Sequence, residues 1–308
     1  MSISASQVKE LREKTSAGMM DCKKALEETA GDFEAAVEWL RKKGLSSAAK
    51  KAGRIAAEGA VFAQVKNNVG IVVEINSETD FVARNDGFKN FVQNVADHVL
   101  ASAETENILE QAYSKNPSQK MEELVKENIA TIGENLVIRR AKKYQGTANS
   151  VVHTYIHGEG KIGVLIEVSG PSTSADAKTT AQDICLHIAA MNPMAISGDQ
   201  IPAAVVAKEK EILKAKNLEQ GKKVEMIDKI VDGQIRKFLA ENCLLEQAFV
   251  KNPDLKVTDY LKEASKKVGA EVKVLRFVRF ELGEGIEKKK DDFAAEVAAQ
   301  QAAAMKGH

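Results

Sequence analysis

The feature that most constrains the fold of this chain is an internal repeat. The segments VGIVVEI at 69–75 and IGVLIEV at 162–168 share one pattern, in which an apolar residue and a glycine are followed by three apolar residues, a glutamate and an apolar residue. An alternating strand and a turn precede each segment, and ENLVIRRAKKY at 134–144 is matched farther along by EVKVLRFVRFE at 271–281. Two copies of a hairpin–helix–strand unit predict a core of two repeated α+β subdomains with antiparallel sheets and helices.

The second copy is longer than the first by about 43 residues, which predicts an insertion over 199–240. Pro202 stands where a helical pattern begins. Farther on, apolar residues recur at the spacings of 3 and 4 that are typical of a coiled coil, at Val224, Ile227, Val231, Ile235 and Phe238. We expect an antiparallel helical hairpin whose apolar seams either pack against each other or pair with a second copy of the protein.

Both ends of the chain are predicted to be helical. Residues 1–54 carry apolar residues at helical spacing in three short stretches, the third ending at Gly44 before a small, basic linker. Residues 284–308 are polar and alanine-rich, and they predict a C-terminal helix with few apolar residues to bury. The predicted fold class is therefore α+β multidomain, with the two core subdomains over 55–146 and 147–283.

Charge and composition argue against several classes of function. The chain has 308 residues, with 44 Lys and Arg against 44 Asp and Glu. A general nucleic-acid coat or a polybasic membrane binder would need a cationic surplus. The sequence has no apolar run of bilayer length and no secretory signal core. Its three cysteines are far apart and form neither a disulfide framework nor a metal-binding cluster, so we expect a reducing, cytoplasmic location.

We find no enzyme motif in the sequence, and no phosphate-binding loop. His153 and His157 fall on a predicted strand, where this spacing separates them by about 13 Å, too far for one metal ion. Cys185 and His187 share an apolar helical stretch and are expected to be core residues. We therefore expect no catalytic, metal or cofactor site.

Arginine and aromatic residues on the predicted strands leave two interpretations open. They are Arg139, Tyr144, Tyr155, Arg276, Phe277, Arg279 and Phe280. Such a set can indicate a nucleic-acid-binding sheet. A half-buried sheet produces the same pattern, and the neutral charge of the chain favours this second interpretation.

The segment that follows the first repeated strand, residues 76–86, is acidic and polar but has Phe81 and Val82 in its middle. From the residues alone, Phe81 could fold back onto the core, and Asp80 could cap the helix that follows. The other interpretation is that this segment presents an aromatic side chain for a function outside the fold.

Five segments, in collinear order over nearly the whole chain, carry a family resemblance. They are VKELREKTSAGMMDCKKAL at 8–26, TDFVA at 79–83, IGENLVIRR at 132–140, HGEGKIGVL at 157–165 and RFELGEGIEKKKDDFAAEVAAQ at 279–300. The chain thereby resembles the bacterial elongation factor Ts family, whose members are guanine-nucleotide exchange factors of elongation factor Tu. The resemblance implies a ubiquitin-associated-like (UBA-like) three-helix domain over 1–54, a coiled-coil insertion and a C-terminal helical module.

The resemblance also implies a mechanism without catalysis and without a cofactor of its own. In this family the TDFVA segment, here Thr79, Asp80, Phe81, Val82 and Ala83, enters the G domain of elongation factor Tu. Phe81 is expected to act as a wedge that disturbs the bound Mg²⁺ and the phosphate-binding loop, so that GDP leaves. The alternative function is a translation-associated nucleic-acid-binding protein without exchange activity.

Further contacts with elongation factor Tu are implied by the same resemblance. They fall at Lys9, Arg12, Met19, Met20, Lys23, Ile132, Gly133, His157, Phe249 and Val250. The stretch around Phe249 and Val250 matches the family less closely than TDFVA does. Either both methionines contact the partner, or one of them packs inside the second helix. In some members the 199–240 hairpin pairs two molecules, so a homodimer is a further expectation, whereas direct contact with nucleic acid or a membrane is not.

Overall fold

The computed structural model describes residues 3–15 and 17–287, so the predicted C-terminal helix falls almost entirely outside the described residues. The helices are α1 (Ala5–Thr15), α2 (Met19–Glu28), α3 (Phe33–Lys51), α4 (Asp80–Ala83), α5 (Asp86–Ala101), α6 (Met121–Ile132), α7 (Ala175–Met191), α8 (Ala203–Glu219), α9 (Val224–Asn242) and α10 (Val257–Val268). The strands are β1 (Glu58–Lys66), β2 (Val69–Ser77), β3 (Ala112–Tyr113), β4 (Asn116–Lys120), β5 (Val137–Gln145), β6 (Ser150–His157), β7 (Ile162–Ser169), β8 (Ala248–Phe249), β9 (Asn252–Lys256) and β10 (Val274–Glu281).

Two antiparallel sheets of three strands each form the core, as the repeat predicts. Their orders are β1-β2-β5 and β6-β7-β10, so each sheet has its repeated glycine- and glutamate-containing strand at the centre. A two-stranded hairpin also recurs, β3-β4 in the first copy and β8-β9 in the second. The helices α8 and α9 are inserted between α7 and β8, within the longer second copy.

Each sheet packs helices on one face and the other sheet on the opposite face. Helices α5 and α6 cover the first sheet, and α7 and α10 cover the second. The repeated glycines allow the two sheets to approach closely: a Cβ at Gly70 would lie 2.5 Å from Val152 Cγ1, and a Cβ at Gly163 would overlap Val61. The glycine of the repeat is therefore required by sheet–sheet packing.

The repeated glutamate binds arginines of the third strand in each sheet. Glu74 is fully buried and accepts hydrogen bonds from Arg139 Nη1 at 2.9 Å and from Arg140 Nε at 2.5 Å. Glu167 in the second sheet accepts one from Arg276 Nε at 2.7 Å. Since a buried carboxylate needs a charged or hydrogen-bonding partner, the glutamate and the arginines form one structural unit in each copy.

These arginines also stack across the junction of the two sheets. The guanidinium of Arg140 lies 4.3 Å from the ring centre of Phe280, and that of Arg276 lies 4.2 Å from the ring centre of Tyr144. Both rings are buried. The pattern that could indicate a nucleic-acid-binding sheet is thus explained by cation–π packing between the two copies.

The remaining aromatic and arginine side chains of that pattern are also engaged. Tyr155 and Phe277 pack against the core of the second sheet. Arg139 pairs with Glu74, and the Arg279 side chain is only 9% exposed and pairs with Glu281 at 2.9 Å. The structure therefore supports the interpretation as a half-buried sheet.

The helical parts of the chain differ from the sequence prediction at one point. Helices α1 to α3 enclose a small core that includes Leu11, Cys22 and Leu26. Helix α3 continues through Gly44 to Lys51, so the predicted end at Gly44 is wrong. A Cβ at Gly44 would lie 2.9 Å from the Cβ of Ala130 in α6. This glycine therefore permits a close helix–helix contact.

Helices α8 and α9 pack against each other through apolar side chains, which are Val206, Leu213, Ile227, Val231, Ile235 and Leu239. The first alternative for the inserted hairpin is therefore the one observed. Pairing with a second copy stays a prediction, as do the UBA-like and coiled-coil assignments. None of the described helices combines the length and apolar character needed to cross a membrane.

A buried histidine holds the small hairpin in each copy. His98 Nδ1 accepts a hydrogen bond from Ser114 N at 3.2 Å, and its Nε2 faces Gln111 Oε1 at 3.0 Å. In the second copy His187 Nδ1 accepts from Val250 N at 3.1 Å, and Nε2 faces Gln247 Oε1 at 2.9 Å. Each Nδ1 can accept only when it is unprotonated, so both rings are deduced to be neutral.

These two histidines should decrease the free energy of unfolding when the pH is lowered below about 6.5. Burial lowers the pKa of His98 and of His187, although the glutamine partners act in the opposite direction. The unfolded chain therefore binds more protons than the folded chain in this range. The contribution is complete above the ordinary pKa of histidine and is lost as the pH falls through the lowered folded-state pKa. Denaturant unfolding at about pH 7.5 and about pH 5.5 should show a larger decrease for the unaltered protein than for the double variant His98→Gln, His187→Gln.

Candidate functional site

The TDFVA segment lies directly after β2 and forms the one-turn helix α4. Phe81 is 81% exposed, the largest exposed fraction of any large apolar side chain among the described residues. Val82 and Ala83, in contrast, pack against the core of the first sheet. The segment is thus attached to the core by its second half and presents Phe81 to solvent.

The two structural explanations for this segment do not hold. Phe81 does not fold back onto the core, because its side chain is largely exposed. Asp80 does not cap the following helix: the N-cap of α5 is Asn85, whose side-chain oxygen accepts from Gly87 N at 2.7 Å. Phe81 therefore has no packing role among the described residues, and its ring is available to a partner.

A turn after α6 holds the residues in front of Phe81. The carboxylate of Glu134 accepts the Thr79 N–H at 3.0 Å and the Thr79 hydroxyl at 2.6 Å. The carboxylate of Glu78 accepts from Asn135 N at 2.6 Å, and it lies 3.4 Å from Arg54 Nη1. The sequence analysis does not predict that Glu78 and Glu134 belong to the site. Glu134 and Asn135 do lie in the IGENLVIRR segment that carries the family resemblance.

The same turn brings Ile132 and Gly133 close to the TDFVA segment, as two neighbouring candidates for partner contact. Ile132 is half-buried against the core of the first sheet. Gly133 is exposed and ends α6 with a φ of 91°, in the left-handed region that favours glycine. The hydrogen bonds between Thr79 and Glu134 connect both candidate regions into one surface.

A surface groove with a volume of about 1460 Å³ lies beside Phe81. The turn between β6 and β7 also lines this groove, with Gly158, Glu159 and Lys161. His157 comes just before that turn, is exposed, and lies 3.2 Å from the Tyr155 hydroxyl through its Nδ1. The predicted contact at His157 is thus next in sequence to a residue that lines the groove, Gly158.

The predicted contact residues of the helical N-terminal part are all exposed. They are Lys9, Arg12, Met19, Met20 and Lys23. Met19 is 59% exposed and Met20 is 73% exposed, so neither methionine packs inside α2. Methionine adapts its shape to a partner more easily than branched side chains do, which suits an interface.

The prediction for Phe249 is corrected by the structure. Its side chain is 3% exposed and stacks on Tyr260 with a centroid distance of 4.2 Å. It therefore belongs to the core of the second sheet and offers no side-chain surface to a partner. Val250 is half-buried, and its N–H is bound to His187.

Among the described residues, no set of side chains suggests a catalytic or metal-binding site. No cluster of three or more His, Cys, Asp or Glu side chains there could hold a metal ion. Cys22, Cys185 and Cys243 are buried and free. Burial raises the pKa of the Cys185 thiol, which disfavours the reactive thiolate.

Comparison with known proteins decides the family. The family model for elongation factor Ts matches residues 78–284, which is more than half of the chain. The chain belongs to the elongation factor Ts family. The matched region begins just before the TDFVA segment.

Relatives in this family extend the match over the N-terminal helices. The elongation factor Ts of Bdellovibrio bacteriovorus is 67% identical over 312 residues, with 100% of both chains covered. That of Nitratiruptor sp. is 49% identical and covers 97% of this chain and 99% of its own. That of Trichlorobacter lovleyi is 48% identical, with 97% and 98% covered.

Proposed function

We propose that this protein is a guanine-nucleotide exchange factor in translation elongation, which binds elongation factor Tu carrying GDP and promotes the release of GDP. The observation that carries the proposal is the exposed Phe81, on a segment that Glu134 holds at Thr79 and that packs on the core of the first sheet through Val82 and Ala83. Membership of the elongation factor Ts family supports the identity of the partner. The protein acts by binding and is not an enzyme, and its action in the cytoplasm is part of the proposal.

Phe81 acts as the wedge in this mechanism. A nucleotide and its Mg²⁺ are held in a G domain by charge-assisted contacts from backbone amides, a lysine and the metal. An aromatic side chain with two rotatable bonds loses little conformational entropy when it enters such a site. Asp80 is exposed beside it and carries a negative charge toward the partner's metal and phosphates. Displacement of Mg²⁺ removes the largest positive charge that faces the phosphates, so GDP is released.

The affinity for the partner must come from surfaces that do not need an empty nucleotide site. If this protein weakens GDP binding by some factor, GDP weakens the binding of this protein by the same factor. The exposed residues of α1 and α2, the turn at Ile132–Gly133 and the β6–β7 turn near His157 are proposed to supply that binding energy. Each of these regions is exposed at least in part and lies apart from Phe81 in the sequence.

Competition between GDP and this protein tests the proposed function. A complex formed with purified elongation factor Tu should dissociate progressively as GDP is added, because the two ligands are negatively coupled. Fluorescence anisotropy of the labelled protein measures this dissociation. A complex that GDP leaves unaffected would contradict the exchange function, as would failure to form a complex with nucleotide-free elongation factor Tu.

A homodimer through 199–240 is retained as a secondary proposal. Four apolar side chains around the turn of the hairpin are at least half exposed: Ile212, Leu218, Val224 and Met226. Light scattering at increasing concentration tests the dimer, and a constant monomer mass would exclude it. No observation favours the nucleic-acid-binding alternative, because the side chains that prompted it are engaged in packing and ion pairs.

A further inference from the structure

The presentation of Phe81 poses a physical problem. Helix α4 has only four residues, and a single helical turn is unstable without tertiary contacts. The side chains of Val82 and Ala83 provide such contacts on the C-terminal side of Phe81. On its N-terminal side the chain leaves β2 at Ser77, and another restraint is needed to fix its direction.

Glu134 supplies this restraint. Its two carboxylate oxygens bind Thr79 separately, Oε2 to the N–H at 3.0 Å and Oε1 to the hydroxyl at 2.6 Å. Thr79 is the N-cap residue of α4 and its own hydroxyl makes no capping bond to the helix, so the external carboxylate takes up both donor groups. Hydrogen bonds to an ionised carboxylate are about twice as strong as those between neutral groups.

Two neighbouring bonds complete the attachment. Glu78 reaches in the opposite direction and accepts the N–H of Asn135, the residue after Glu134. Ser77 Oγ donates to the carbonyl oxygen of Thr79 at 2.9 Å. Residues 77–79 are therefore fixed to the turn after α6 by reciprocal contacts, only two residues before Phe81.

We infer that Glu134 is a positioning residue for exchange, which holds Thr79 so that Phe81 is presented in its inserting conformation before the partner arrives. This inference rests on the proposed function. A side chain that is already oriented does not have to be ordered during binding, and the binding-competent fraction of the free protein stays high. Glu134 itself acts through Thr79 and need not touch the partner.

Hydrogen exchange on the free protein tests the first half of the inference. Glu134→Ala should accelerate amide exchange in residues 77–85, whereas Glu122→Gln should not. Glu122 is an exposed carboxylate on α6, the helix that precedes the Glu134 turn, and it pairs with Lys126. Thr79→Val keeps the N–H but removes the hydroxyl, and it serves as a milder second variant. Unchanged exchange in both Glu134→Ala and Thr79→Val would overturn the inference.

Stimulated release of labelled GDP tests the second half. In Glu134→Ala the initial slope of release rate against protein concentration should fall about 5- to 20-fold, with a smaller loss in Glu134→Gln, which keeps one acceptor oxygen. No loss relative to Glu122→Gln would overturn the inference while leaving the proposed function intact. No acceleration by the unaltered protein would overturn both.

A double variant separates positioning from general stability. If Glu134 acts through Phe81, Glu134→Ala should weaken binding to nucleotide-free elongation factor Tu much less in a Phe81→Ala background than in the unaltered protein. Equal losses in the two backgrounds would show that Glu134 supports the fold at large, and would overturn its role as a positioning residue.

Discussion

Phe81→Ala should reduce the stimulated release of GDP from elongation factor Tu about 30-fold or more, the effect expected when a central aromatic contact of about 2 kcal/mol or more is removed. The side chain is 81% exposed in the free protein, so its truncation removes no core packing. The free energy of unfolding of Phe81→Ala should therefore stay within about 0.5 kcal/mol of that of the unaltered protein. Stopped-flow release of a fluorescent GDP analogue measures the rate, and calorimetry measures the stability.

Leu275→Ala is the matched control for this variant. Leu275 is another large apolar side chain, 49% exposed, but it lies on β10 and outside the proposed surface. It should leave the release rate unchanged. An equal loss of release rate in both variants, or a normal release rate in Phe81→Ala, would contradict the proposed role of Phe81 as the wedge.

Glu74→Ala should lower the free energy of unfolding by about 2–3 kcal/mol, since removal of one partner of a buried ion pair leaves the other charge uncompensated. Glu74 is fully buried and binds Arg139, Arg140 and the N–H of Gly283 at 2.8 Å. The two arginine side chains are 26% and 29% exposed, so they regain some hydration and the loss stays below the upper range for such pairs. Denaturant titration at neutral pH measures the change.

The second copy of the repeat provides the comparison for Glu74. Glu167 binds one arginine, Arg276, whose side chain is 48% exposed, together with the Ser150 hydroxyl at 2.6 Å. Glu167→Ala should therefore cost less than Glu74→Ala. A larger loss at Glu167 would contradict the assignment of Glu74 as the more tightly enclosed carboxylate.

The state of ionisation of Glu74 follows from its contacts. Burial acts to raise the pKa of this carboxyl, but hydrogen bonds from Gly283 N and Arg139 and the charge of Arg140 outweigh it, so the pKa lies below the ordinary value of 4.5. Its contribution to stability is present above the ordinary pKa and is lost as the pH falls through the lowered one. The effect of Glu74→Ala should accordingly shrink in acid.

The duplicated sheets could be predicted from the sequence because strand alternation and the shared glycine–glutamate pattern are local signals. The structural reason for that pattern is not local, because it depends on contacts with other strands. Gly70 and Gly163 are glycines because the opposite sheet leaves no room for a Cβ, and Glu74 is tolerated because arginines of another strand reach it. A single sequence shows that these positions recur, but not which distant residues require them.

The candidate site could be predicted only in part for the same reason. The exposure of Phe81 agrees with its expected role as the presented side chain, whereas Phe249, a predicted partner contact, has a buried side chain. Phe249 precedes an exposed turn, and its ring contacts with His187 and Tyr260 show which way it points. The bonds between Thr79 and Glu134 join residues 55 positions apart and leave no periodic signal.

The most direct test of the central claim is the release of a fluorescent GDP analogue from purified elongation factor Tu, followed with increasing amounts of this protein. We predict a large acceleration that saturates with protein concentration and is suppressed by Phe81→Ala. A release rate that stays at the intrinsic value at every concentration would contradict the claim that this protein is an exchange factor.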